Sequence, residues 1–167
     1  MDKKRPWSNI LTYRGWIYTQ QWRRSIQRDP LLNTPLAYSG ISTVYTMHGV
    51  LEKPSAASLQ PVGKISLPKP YLKEGIIVLE VPNKAAAPTV RQGAHVGINT
   101  LTSLSANGEL FAVWLPYTGI VLRRVFWHQD SACFVLRAEN PVYPENRIRA
   151  DQTEWGLGRL DWVIQEL

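Results

Sequence analysis

The stretch that decides the fold is LFAVWLPYTGIVLRRVFW, residues 110–127. Two apolar runs, residues 110–115 and 119–127, flank a short turn that begins at Pro116. Runs of this length that are rich in β-branched and aromatic residues and separated by Pro and Gly are typical of β-hairpins. We therefore predict two antiparallel strands joined through Tyr117 and Thr118.

Short strands separated by turns continue on both sides of this hairpin. Further strands are predicted at residues 76–81, 95–99, 132–138 and 158–164. No segment after residue 75 has helical periodicity. The chain is therefore predicted to be mostly β, with a β domain at residues 76–167.

The first 75 residues differ in character from the rest. Residues 1–47 form a basic arm with three tryptophans, and one short helix is predicted in it at residues 16–28. Residues 48–75, which Pro and Gly punctuate, are predicted to be an extended linker. Before that linker, residues 42–46 are the strand-like segment, because they are β-branched or aromatic.

The positive charge is concentrated in the arm. The chain carries a net charge of +6, of which residues 1–48 contribute +5. Such asymmetry is typical of contact with nucleic acid or an acidic partner, and Arg23, Arg24 and Arg28 are the candidate contacts. A solvated, solubilising arm explains the same charge, and both interpretations stay open.

Composition excludes several classes of site. Cys133 is the only cysteine, so the chain has no internal disulfide and no zinc site built on thiolates. The three histidines are scattered, and no phosphate-binding loop is present. We expect no cofactor and no metal. No apolar run is long enough for a membrane span and no secretory signal is evident, so we expect a cytoplasmic protein.

The stretch NKAAAPTVRQGAHVGIN, residues 83–99, follows one predicted strand and leads into another. It resembles the nucleophile segment of the LexA/UmuD/phage-repressor family of self-cleaving peptidases, which reads Gly-Asp-Ser-Met-x-Pro-Thr. Three later segments resemble further family motifs in the same order. They are GIVLRRV at residues 119–125, ENPVYP at 139–144 and GRLDWVI at 158–164.

The resemblance implies a fold and a site. The fold would be the LexA/UmuD-like peptidase fold, with twisted sheets that form a partly closed barrel. The nucleophilic serine would fall on Ala85, the general-base lysine on Arg123, and the self-cleavage site on the bond between His48 and Gly49. Family members are regulators, including those of the SOS response, and dimerise through this domain, so the resemblance also implies a homodimer.

Both groups of the Ser–Lys dyad are replaced. Such a dyad needs a hydroxyl nucleophile and a neutral amine that accepts its proton. Alanine has no nucleophile, and arginine stays protonated. We therefore predict a proteolytically dead regulatory domain, of prophage or mobile-element origin, that acts by protein binding. Two alternatives stay open: an autopeptidase whose site is mutated or lies elsewhere, and a small β-barrel nucleic-acid binder.

Overall fold

The computed structural model describes residues 39–47, 49, 52–54 and 58–166 of the 167-residue chain. The described residues are mostly β, which confirms the prediction of a mostly-β chain, whereas the LexA/UmuD-like fold stays a prediction. Two 3₁₀ helices, Lys69–Tyr71 and Ala150–Trp155, interrupt the strands. In chain order the strands are β1 (Ser39–Thr46), β2 (Pro61–Pro68), β3 (Ile76–Glu80), β4 (His95–Asn99), β5 (Leu110–Leu115), β6 (Gly119–His128), β7 (Cys133–Arg137), β8 (Asn146–Arg149) and β9 (Gly156–Ile164).

These strands form one mixed sheet in the order β2-β1-β3-β4-β9-β5-β6-β7-β8. β1 and β3 run parallel, and the other neighbouring strands run antiparallel. The last strand, β9, lies in the middle of the sheet. It therefore joins the strands that precede residue 100 to those that follow it.

The predicted hairpin is confirmed, because β5 and β6 pair without a register shift from Leu110↔Arg124 to Leu115↔Gly119. The strands predicted at residues 76–81, 95–99, 132–138 and 158–164 agree with β3, β4, β7 and β9 to within two residues. The prediction of a linker without a strand after residue 46 is wrong over β2. Both ends of β2 are proline, which an edge strand tolerates because one side of its backbone needs no partner.

β1 and β2 lie in the same sheet as the strands of the predicted β domain. The division into arm, linker and domain stays a prediction. In the structure, described residues of all three predicted parts belong to one sheet. The helix predicted at residues 16–28 lies outside the described residues. Within the described part of the chain, no helix has the length and apolar character needed to cross a membrane.

Two apolar clusters lie on opposite faces of the β5–β6 hairpin, because successive side chains of a strand alternate between faces. The Met47 cluster includes Met47, Leu79, Ala86, Val96, Ala112, Trp114, Ile120 and Leu122. The Phe111 cluster includes Leu104, Phe111, Val113, Val121, Val125, Leu136 and Ile148. The position of a β6 residue in this alternation therefore decides which core its side chain enters.

Candidate functional site

One edge of β6 is only partly covered by its neighbour β7. β7 pairs with residues 124–128 of β6, whereas β5 covers the opposite edge from residue 119 onward. Beside the earlier residues of β6 lies Met47, whose carbonyl oxygen accepts a hydrogen bond from the Ile120 N–H at 3.3 Å. The Met47 side chain is buried in the cluster named after it. The residue that precedes His48 is therefore held against β6.

Ala85 lies in the connection between β3 and β4, and both polar atoms of its backbone are paired. Its N–H donates to Oδ1 of Asn83 at 3.0 Å. Its carbonyl oxygen accepts the N–H of Asn140 at 3.1 Å. An asparagine that bonds the backbone two residues later is a common turn former, which explains the tight local path of the chain. These bonds fix the buried Ala85 methyl in position.

A small cleft separates Ala85 from β6, with room for about one water molecule. Its walls are formed by Met47, Val81, Pro82, Asn83, Ala85, Ala86, Ile120, Val121 and Leu122. Apart from the Asn83 amide, the side chains in these walls are apolar. The cleft brings the predicted nucleophile position next to the residue that precedes the predicted cleavage site.

Arg123 is not among the residues that line this cleft, although it follows Leu122 directly. Strand alternation places its side chain with Val121 and Val125 in the Phe111 cluster. It is only 4% exposed, and its Nη1 donates to the Leu122 carbonyl oxygen at 2.9 Å. Burial lowers the pKa of Arg123, while the nearby Tyr143 hydroxyl acts in the opposite direction.

A turn connects the two predicted dyad positions. Its first residue, Asn140, donates to Ala85, and the N–H of Tyr143 donates back to the Asn140 carbonyl oxygen at 3.1 Å. Tyr143 in turn interacts electrostatically with Arg123. Ala85 and Arg123 are therefore neighbours of the same turn, although no described hydrogen bond joins them directly.

Arg124, for which the sequence motifs predict no role, is linked through Glu139 to the segment that follows Ala85. Its guanidinium pairs with the Glu139 carboxylate, whose Oε2 accepts the Thr89 N–H at 3.1 Å. Its Nη1 also donates to the Gly108 carbonyl oxygen at 2.8 Å. The only signal in the sequence was the position of Glu139 at the start of the ENPVYP segment. Its partner lies 15 residues away.

The remaining predicted residues are only partly described. Gly49 is exposed, with a φ of 74°, whereas His48 lies outside the described residues. Arg23, Arg24 and Arg28 lie outside them as well. Cys133 is a buried free thiol. In the part of the chain that the structure covers, no group of His, Cys, Asp and Glu side chains could hold a metal ion.

No protein-family model matches this sequence, and a search of curated proteins finds no match. The resemblance to the LexA/UmuD/phage-repressor family therefore rests on the motifs themselves and on their order, and it stays a prediction.

Proposed function

We propose that this chain is a non-catalytic relative of the LexA/UmuD/phage-repressor peptidases that acts in the cytoplasm as a regulatory and dimerisation domain by binding protein. One observation carries the proposal. The bond between the Ile120 N–H and the Met47 carbonyl oxygen holds the chain before His48 against β6, next to Ala85. A self-cleaving domain needs this juxtaposition of cleavage segment and nucleophile position.

The chemistry of the two substituted positions supports a binding function over a catalytic one. The Ala85 methyl offers no lone pair to attack a carbonyl carbon. A guanidinium at residue 123 donates hydrogen bonds only, and it cannot accept the proton that a serine would lose. The edge of β6 beside Ala85 would then bind a polypeptide without cutting it.

The edge of β6 that β7 leaves uncovered favours an extended polypeptide as the binding partner, because the cleft itself has room for only about one water molecule. The N–H of Ile120 already bonds a backbone carbonyl oxygen rather than a side chain. Addition of an extended segment to a free strand edge is a common mode of peptide recognition, because backbone bonds supply affinity and side-chain pockets supply specificity. The partner is then a second copy of this chain, a related repressor or another regulatory protein that presents such a segment.

The test restores the dyad by combining Ala85→Ser with Arg123→Lys. We expect this variant, kept at alkaline pH, to yield fragments split between His48 and Gly49, identified by mass spectrometry, while the unaltered chain stays intact. The matched control combines Ala85→Ser with Arg124→Lys. It should stay intact, because an amine at residue 124 would remain paired with Glu139.

Two results would contradict the proposal. Fragments from the unaltered chain would make the protein a peptidase, and an uncut Ala85→Ser, Arg123→Lys variant that is folded would end the family assignment. Dimerisation has its own test by sedimentation equilibrium. We expect a mass of about twice the 19.0 kDa of one chain, and a monomer at every concentration would contradict that part.

A further inference from the structure

Arg123 occupies a position that strand patterning normally gives to an apolar residue. Its side chain lies between those of Val121 and Val125 on one face of β6, and its cross-strand partner is the fully buried Phe111. Among the described residues it is the one charged side chain that is buried. Charged side chains are rarely buried unless they are paired, so this placement calls for a partner.

The described residues supply no carboxylate partner, although Tyr143 lies near enough to interact with Arg123 electrostatically. A guanidinium carries several N–H donors, and the bond that the structure gives this one is from Nη1 to the carbonyl oxygen of the preceding residue. Its Nε is buried and has no hydrogen-bond partner. Within the described part of the chain, none of the ion pairs includes Arg123.

The geometry of the unused donor indicates what kind of group would fit. Nη1 is engaged, so the unpaired Nε belongs to the other edge of the planar guanidinium, which it shares with Nη2. That edge presents two parallel N–H groups, and a carboxylate or a phosphate accepts both at once. The surroundings are apolar, and the desolvation cost of an ion rises with the square of its charge. A singly charged carboxylate therefore suits this site better than a phosphate dianion.

Arg123 does not line the cleft, and the 140–143 turn is the element that lies beside both. The 140–143 turn bonds Ala85 through Asn140 and brings Tyr143 near Arg123, while Val142 of the same turn is 84% exposed. The exposed side of this turn is therefore the surface from which a partner polypeptide would approach Arg123.

We propose that Arg123 receives a carboxylate from a partner polypeptide bound beside the 140–143 turn, so that the protein selects segments with an acidic residue. That the partner is a polypeptide rests on the proposed function. The carboxylate site itself rests on the buried, unpaired guanidinium. The arginine that stands in place of the family's general-base lysine would then determine which partner segments bind.

The first experiment measures thermal unfolding of the full chain in sodium acetate against sodium chloride at equal ionic strength. We expect acetate to raise the unfolding midpoint of the unaltered chain by about 3 °C at a concentration well above its dissociation constant. Arg123→Met should abolish the rise, and Arg123→Lys, which keeps the charge but not the planar fork, should reduce it by more than half. Arg147→Met removes an exposed arginine and should leave the rise intact.

The second experiment compares a blocked Ala-Glu-Ala peptide with blocked Ala-Gln-Ala as the added ligand, and sodium phosphate serves as the tetrahedral anion. We expect the Glu peptide, but not the Gln peptide, to raise the unfolding midpoint of the unaltered chain. The Glu peptide should have no effect on Arg123→Met. An equal rise in all variants, no rise at all, or a larger rise with phosphate would each overturn the proposal. Cleavage by the Ala85→Ser, Arg123→Lys variant tests the proposed function separately, so either idea can fail alone.

Discussion

Glu139 pairs with Arg124 just beyond the end of β7, and only 9% of the Glu139 side chain is exposed. The Arg124 Nε donates to Oε1 at 2.7 Å, and the other carboxylate oxygen accepts the Thr89 N–H. One carboxylate thus connects β6 to the segment that follows Ala85. The position of Ala85 beside the cleft therefore depends on the Glu139 carboxylate, which does not line the cleft.

Replacing Glu139→Gln should destabilise the protein by about 2 kcal/mol, because it leaves the Arg124 guanidinium without a counter-charge in a half-buried position. Urea unfolding measures the change. Glu145→Gln is the matched control, since that carboxylate also pairs with arginines but lies at the surface, and it should cost much less. Equal losses in the two variants would show that the burial of Glu139 does not matter.

The Glu145 carboxylate should make a small contribution to stability that disappears in acid. Its pKa is lowered, first because the Arg137 Nε donates to it at 2.8 Å and then through the charges of Arg137 and Arg147. A carboxyl group whose pKa is lower in the folded state stabilises the fold above its ordinary pKa of 4.5, and loses that effect as the pH falls through the folded-state value. The difference in unfolding midpoint between the unaltered chain and Glu145→Gln should be constant near neutral pH and narrow below 4.5. A difference that widens in acid would contradict this assignment.

Gly97 of β4 should not tolerate a side chain. A Cβ at this position would overlap the indole ring of Trp162 on the paired strand β9, and Nε1 of that ring donates to the Tyr71 carbonyl oxygen at 3.3 Å. We expect Gly97→Ala to destabilise the fold by about 1–3 kcal/mol, the usual cost of overpacking a core. Gly63→Ala in β2 is the control, because a Cβ there meets no atom within 4 Å. It should be neutral in urea unfolding, and an equally harmless Gly97→Ala would mean that Trp162 can move aside.

Local patterns were enough to predict most of the sheet, and non-local contacts account for what was missed. The β5–β6 hairpin was predictable because both strands and their turn lie in one continuous stretch of 18 residues. β2 was missed because its prolines and glycine indicate a loop, and its role as an edge strand shows only beside β1. β8 was also missed, because it has four residues, three of them polar, and its pairing shows only beside β7. At the site, the motif predicted that Ala85 and Arg123 face each other in a cleft beside the 48–49 segment. Ala85 lines a cleft and Arg123 does not, and residue 48 lies outside the described residues. The motif could not predict that strand alternation would place Arg123 in the Phe111 cluster, or that Glu139 would pair with Arg124.

Met47 should position the cleavage segment as well as fill the core. Its side chain is 1% exposed in the Met47 cluster and also lines the cleft. In the Ala85→Ser, Arg123→Lys background, Met47→Ala should lower stability by about 3 kcal/mol through the cavity it leaves. It should also slow cleavage by about tenfold, which corresponds to roughly 1.4 kcal/mol of positioning.

Leu67→Ala separates the two effects. Leu67 is as deeply buried, but it packs with Val78 and Trp162 in another cluster, away from the cleft. We expect a similar loss of stability and an unchanged cleavage rate, measured by the appearance of the fragment that begins at Gly49. Cleavage that slows equally in both variants would mean that the rate follows global stability. The contact between Met47 and β6 would then have no particular part in presenting the segment.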